Sequence, residues 1–180
     1  MEKYEAQSGG AGEMSTRHRL GLAVREVDTP RDRLEIEAEF HATTPAELFR
    51  YWTEPGLLSQ WWPKEAEVEA KKGGSYHLVW PNMEWHLRGT YHTFNPGRLL
   101  VFTWRWDHEP DAPTRVVTLD FQPLGSEGGT RLHLTHGYYR EHVPKEMEER
   151  QGHLEGWHYF LERLQQVTQD DQAAGGGNET

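Results

Sequence analysis

The residues in this chain with types suited to chemistry are eleven histidines, a surplus of carboxylates and eight tryptophans. A zinc centre would need several of the histidines or acids to converge at one point. The spacing argues against it: His153 and His158 stand five apart in a helical stretch and point different ways, and His133 and His136 fall on opposite faces of a strand. No His-Glu-x-x-His run occurs. His86 and His92 share a face with Arg88 yet stand about 20 Å apart at a strand rise of about 3.3 Å per residue. No metal and no cofactor is therefore assigned. A catalytic acid or base must face a cavity, and the candidates are Glu84, Arg88, Arg105, Asp120, His136 and Tyr138. The first four lie in the solvent phase of their strands, and His136 reads as a hydrogen-bonded core histidine. No nucleophile stands beside a base, so no catalytic residue is assigned and a binding protein is preferred to an enzyme.

The aromatic residues are the more informative set. Each such ring buries about 150 to 250 Å². Trp52, Trp61, Trp62, Trp80, Trp104 and Trp106 could fill a core or line a cavity for a flat apolar ligand, and Tyr76, Trp157 and Phe160 join them. Gly152 and Gly156, four apart in a helical stretch, sharpen the choice. Each costs a helix interior roughly 1 kcal/mol relative to alanine. Two on one side imply that another surface or a ligand approaches the backbone there; plain tight packing is the alternative.

The element that must position these groups is Lys145 to Thr168. Leu154, Trp157, Leu161, Leu164 and Thr168 recur at steps of three and four, which makes one apolar helical stripe, with Glu155, Glu162, Arg163 and Gln166 largely off it. Leu34, Ile36, Ala38 and Phe40 alternate with Glu35, Glu37 and Glu39, the pattern of a half-buried strand. Thr43-Thr44-Pro45-Ala46-Glu47 has the cap, proline and glutamate of a helix start. Pro55-Gly56 ends that helix, and Leu57 to Trp62 predicts a second one stopped by Pro63. From Glu65 to His136 a meander is expected: Glu65 to Ala70, Ser75 to Trp80, Met83 to Phe94, Leu99 to Trp106, Arg115 to Gln122 and Thr130 to His136. Leu100, Phe102, Trp104 and Trp106 share a face with Val117, Leu119 and Phe121 and with Leu132, Leu134 and His136, the face that the last helix should cover. The result is an α+β arrangement, a curved antiparallel sheet of about seven strands wrapped around a long C-terminal helix, with two short helices after the first strand.

One core suffices for 180 residues at 35% hydrophobic content. Residues 1–31 read as a disordered tail in which Leu20, Leu22, Val24 and Val27 could form a short strand, residues 32–169 as the folded domain, and 170–180 as a disordered C-terminal tail. A formal net charge of −10 argues against a nucleic-acid partner and against an anionic membrane surface. The absence of cysteine excludes disulfides and thiolate sites. With no apolar run of about 18 residues and no signal-like start, neither membrane insertion nor export is expected, and the cytoplasm is the default.

Pro45-Ala46-Glu47-Leu48-Phe49, Trp52-Thr53-Glu54-Pro55, Trp61-Trp62, Gly73-Gly74-Ser75-Tyr76, Gly89-Thr90-Tyr91, Asn95-Pro96-Gly97-Arg98-Leu99, Thr103-Trp104, Gly129-Thr130-Arg131-Leu132 and Gly156-Trp157 occur in that order. Over about Arg33 to Val167 the chain thereby resembles the activator of heat-shock-protein-90 ATPase homologue family, a branch of the START-like (SRPBCC, birch-pollen-allergen-like) superfamily. The resemblance implies a helix-grip fold. For function it implies a choice among carriers of small hydrophobic molecules, polyketide cyclases and aromatases, and a co-chaperone module for a chaperone or other protein in the stress response. The expected function is binding of a small hydrophobic or aromatic ligand between the sheet and the C-terminal helix. The expected lining is Trp52, Trp61, Trp62, Tyr76, Trp80 and Trp104, with Trp106, His136, Gly156, Trp157 and Phe160.

Overall fold

The computed structural model describes residues 24–27 and 30–176. The strands are β1 (Arg25–Glu26), β2 (Arg33–Phe40), β3 (Glu65–Val68), β4 (Ser75–Trp80), β5 (Trp85–Asn95), β6 (Leu99–Trp106), β7 (Arg115–Leu124) and β8 (Gly129–Gly137). Two short helices, α1 (Pro45–Thr53) and α2 (Pro55–Leu58), follow β2, and the long helix α3 (Pro144–Gly175) closes the described chain. All eight strands form one antiparallel sheet in the order β1-β2-β8-β7-β6-β5-β4-β3. The two helices carry the chain from β2 to the far edge, and the meander β3 to β8 returns it to β2. This is the helix-grip arrangement expected from the pattern of elements.

Local chemistry explains the start of α1. The Thr44 hydroxyl accepts from the Glu47 amide at 3.3 Å while the Glu47 carboxylate accepts from the Thr44 amide at 2.9 Å, with Pro45 in the first turn. Such a cap is worth about 1 kcal/mol. The apolar stripe of α3 buries Trp157, Leu161, Leu164 and Thr168 as its spacing predicts, while Leu154 at its start is half-buried. Each fully buried leucine contributes about 1.5 to 3 kcal/mol. The inward residues of β2, β6, β7 and β8 alternate in the expected phase, and Leu34, Ile36, Leu100, Val117, Leu119, Leu132 and Leu134 are fully buried.

Several element limits differ from expectation. Val24 and Val27 flank a real strand: Arg25 and Glu26 of β1 pair with Glu37 and Ile36, and the Arg25 guanidinium donates to Glu37. These two residues are therefore part of the sheet and not of a tail, and the sheet has eight strands where about seven were expected. Leu20 and Leu22 lie outside the described residues. Pro55 opens α2 rather than merely ending α1, because a proline at the first helical position loses no hydrogen bond. Leu57 to Trp62 is therefore only partly helical, and turn hydrogen bonds continue from Leu58 to Trp62. β5 begins at Trp85, since Pro81–Met83 forms a tight 3-10 turn and Glu84 takes a left-handed φ of 53°. The helix α3 continues past Gln169 to Gly175, where a tail was expected; the Tyr51 hydroxyl donates to Asp171 and ties that last stretch to α1.

Two features bend the sheet around the helix. Tyr91 pairs with Phe102 and Thr93 with Val101, so His92 is an extra residue in β5 and bulges it. The phase flips there, and Tyr91 and Phe94 both turn inward, with ring centroids 5.4 Å apart. Gly89, in the same strand, provides the second feature. A side-chain carbon there would stand 2.5 Å from the Tyr76 ring and 2.0 Å from the Thr103 carbonyl oxygen. Glycine at 89 lets the Tyr76 ring lie flat over the strand, with its hydroxyl donating to that carbonyl.

Candidate functional site

Six residues of α3 fall on one face: Glu149, Gly152, His153, Gly156, Trp157 and Phe160, at steps of three and four. With Trp62 behind α2, Trp80 at the end of β4, Trp104 and Trp106 on β6, and Met83 and Trp85, they line a cavity of about 410 Å³. His108 and Glu109, in the loop after β6, complete its rim. The volume lies within the usual range for small-molecule sites, roughly 300 to 1,000 Å³.

The two glycines form the cavity roof. A side-chain carbon at Gly152 or Gly156 would meet no atom within 4 Å. Tight helix packing therefore does not account for them; Gly156 is half-buried and Gly152 exposed, and both border the cavity. The tryptophans form the other walls. Trp62 stacks on Trp104 with centroids 5.7 Å apart, Trp104 lies 5.5 Å from Trp157, and Trp80 lies 5.4 Å from Trp106. The rings meet at varied angles, and Trp62 is stacked against Trp61 as well as Trp104. Hydrogen bonds fix several of them: the Trp80 indole donates to the Trp62 carbonyl at 3.0 Å and the Trp157 indole to His136 Nδ1 at 3.0 Å.

Seven of the eleven expected lining residues reach this cavity: Trp62, Trp80, Trp104, Trp106, Gly156, Trp157 and Phe160. Four are elsewhere. Trp52 packs edge-on against Trp61 at 4.7 Å inside the core, and the Trp61 indole donates to the Tyr51 carbonyl at 2.9 Å. Trp61 and Trp62 are both buried. Tyr76 packs against Tyr91 at 5.6 Å and Phe102 at 5.5 Å, beside Gly89. His136 sits behind the wall, where it accepts from Trp157 and stacks on His153 at 4.6 Å. Of the other polar candidates, Glu84, Arg88, Arg105 and Tyr138 are exposed, and Arg88 pairs with Asp107 at 2.9 Å.

Sequence reasoning weighed His153 only as a metal ligand and passed over Glu149, as it did Met83, Trp85, His108 and Glu109. From the helix, His153 and Glu149 could both have been found by counting back from Gly156 in steps of three and four. Arg115 gave no signal at all, because it occupies an inward position at the start of β7 where its partners come from α3, more than 30 residues away. Its guanidinium is 2% exposed, donates to the Tyr138 carbonyl and to Glu149, lies 3.7 Å from Glu146, and covers the Tyr139 ring at 4.2 Å. Burial opposes ionisation of Glu146, but hydrogen bonds from Arg140 and the charge of Arg115 hold its carboxyl below the ordinary range.

Burial, and secondarily the Arg115 charge, depresses the His153 pKa to about 4. Its Nδ1 lies 2.7 Å from the Tyr139 hydroxyl, which burial keeps protonated. Burial likewise pushes His136 well down, helped by His153 and Arg115. The imidazole pair is thus neutral at pH 7. On acidification the unfolded chain takes up protons that the folded rings refuse. The stability linked to His153 is full above about pH 6.5 and falls by about 1.4 kcal/mol per pH unit toward pH 4. Between pH 6.5 and 5 the loss is about 2 kcal/mol from His153, and His136 adds to it in the same direction. Urea melts at pH 7 and pH 5 check this: His153→Gln should lose less stability than the parent, and equal losses would remove His153 from the account. Among the described residues no three histidine or acidic groups gather as metal ligands.

A family model described as activator of Hsp90 ATPase homolog 1-like protein matches residues 42–169, which includes every wall of the cavity. The chain belongs to this family. Within the Hsp90-activator homologue family it is 28% identical over 142 residues to the human activator of 90 kDa heat shock protein ATPase homolog 1. That match covers 78% of this chain and 38% of the human protein, so the chain spans less than two fifths of the relative's length. Among solved structures, a Rhodobacter sphaeroides protein is similar with a TM-score of 0.65 and 24% identity, covering 80% of this chain and 96% of that one. DynU16, a putative protein in the dynemicin biosynthetic locus, is similar at 0.64 and 18% identity over 78% of this chain and 48% of its own. These likenesses support the START-like fold. No helix among the described residues is long and apolar enough to cross a membrane.

Proposed function

We propose that this domain binds a small, flat, hydrophobic or aromatic molecule between the N-terminal half of α3 and the tryptophans of β4 and β6. The observation that supports it most directly is the pair Gly152 and Gly156, which open onto a ring-lined void instead of onto packed neighbours. A helix that gives up roughly 1 kcal/mol at each of two glycines has a use for the space. Aromatic walls suit a flat ligand, because offset and edge-on ring contacts add about 0.5 to 1.5 kcal/mol each beyond area burial. The shallower groove of about 310 Å³ that shares Trp62, Trp80, Met83 and Phe160 would accommodate a substituent projecting from the cavity.

Tryptophan fluorescence titrated with a panel of aromatic and acyl compounds, together with native mass spectrometry, tests the proposal. Saturable quenching with a one-to-one mass shift is the expected result, with affinities of about 1 to 100 μM, corresponding to about −8 to −5.5 kcal/mol. Linear, non-saturating quenching by every compound and an unliganded mass would defeat it. The cyclase reading keeps one foothold, the neutral His153 at the cavity wall, and predicts turnover lost in His153→Gln with binding retained.

A further inference from the structure

We infer that the ligand is a cation: a molecule whose apolar or aromatic body carries a quaternary or protonated ammonium group. This rests on the binding role proposed for the same cavity and adds the charge class to it. The walls present Trp62, Trp80, Trp85, Trp104, Trp106 and Trp157. An indole ring has a negative face, and a cation held over it within about 6 Å is attracted, most strongly once both are desolvated. Six such rings line one volume; Trp62 is stacked against Trp61 and Trp104 and Trp85 against His108, which leaves Trp80, Trp106 and Trp157 with no parallel-stacked partner.

The charges at the wall have the matching sign. No lysine or arginine lines the cavity, whereas Glu109 and Glu149 do. Glu149 is matched by Arg115, and Glu146, the other acid at that guanidinium, by Arg140, so this group sums to zero. Glu109 is half-buried and makes no side-chain hydrogen bond or ion pair among the described residues. His153, the titratable ring in the wall of α3, is neutral at pH 7. Glu109 is thus the acid of the rim without a side-chain partner, and the nearest cation of its loop, Arg105, is turned to the Pro110 carbonyl at 3.0 Å and does not line the cavity. Lys64 and Arg163 line only the outer groove, beyond Trp62 and Trp80. A neutral ligand would leave Glu109 partly desolvated with nothing in return, and an anion would meet it directly. The net charge of −10 favours approach of a cation at longer range.

Phenyltrimethylammonium and its neutral carbon isostere tert-butylbenzene have nearly the same shape and differ in charge, so titrating both separates the inference from the reading below it. Expected is a cation affinity at least about fivefold above that of the isostere, the difference that a cation–π contact of moderate strength supplies. Glu109→Gln should then weaken the cation several-fold, leave tert-butylbenzene within about twofold, and flatten the salt dependence of cation binding. Equal or tighter binding of tert-butylbenzene would overturn the cation inference and leave the hydrophobic-ligand proposal standing. Binding of benzenesulfonate in place of the ammonium compound would overturn it as well. If neither phenyl probe nor any compound of the aromatic and acyl panel binds saturably, both fall together.

Discussion

Gly156→Leu is expected to keep the fold and to abolish ligand binding. The side chain of a leucine at 156 would project into the void beside Trp157, where no atom lies within 4 Å of its first carbon. Replacing a helix-interior glycine removes a cost of roughly 1 kcal/mol, and the leucine gains some apolar contact with the tryptophan walls. The melting temperature should therefore stay level or rise by a few degrees. Affinity for any compound that saturates the parent should drop about 100-fold, on the order of 3 kcal/mol, since the added side chain occupies the ligand's place. Circular-dichroism melts and fluorescence titrations on the same sample read both quantities. A variant that melts about 10 °C lower would show that the glycine serves packing. One that folds and still binds would show that the ligand, if any, sits elsewhere.

Arg115→Leu is expected to be the most damaging single change outside the apolar core. Its guanidinium is the shared partner of Glu146 and Glu149, both nearly buried, and it also satisfies the Tyr138 carbonyl. Removing one member of such a cluster strands the others at a cost of about 3 to 5 kcal/mol. For a domain of this size that lowers the melting temperature by about 10 °C. The deficit has a pH signature. Without the positive charge the Glu146 carboxyl is held down less, so the variant should lag the parent most at pH 7 and less near pH 4. Adding Glu149→Gln to the variant should recover part of the loss, and a double-mutant cycle measures how much. A variant whose deficit is the same at both pH values, or is under about 1 kcal/mol, would show that the cluster is solvated and dispensable.

The two substitutions act on the same face of α3's N-terminal half, about two turns apart. Arg115 anchors that half to β7 through Glu146 and Glu149, and Gly152 and Gly156 begin one turn further on. The helix can therefore stand off the sheet over the cavity without losing its hold at the end. Toward the C-terminus Leu161, Leu164 and Thr168 are buried in the usual way, and the gap closes.

Much of the architecture could be read along the chain, because its signals are local. Alternation in Leu34 to Phe40 and in Leu99 to Trp106, the box formed by Thr44 and Glu47, and the stripe from Leu154 to Thr168 each depend on residues within a few positions. Those are the distances over which backbone geometry fixes which way a side chain points. The family followed from the order of such signals, and seven cavity residues followed from the family and the aromatic content together. Periodicity assigns a face but not what stands opposite it. Trp52, Trp61, Tyr76 and Trp104 all point inward, yet only the tertiary structure separates the three that fill the core from the one that lines a void. That separation depends on the His92 bulge, on the approach of Tyr76 over Gly89, and on how far α3 stands from β6. The same limit hid Arg115, whose inward place on β7 becomes reasonable only when Glu146 and Glu149 arrive from another element. The sequence by itself determined the strands, the helix and its glycines; the tertiary structure decided that the space under those glycines is empty, because the width of a gap is set by side chains brought together from distant segments.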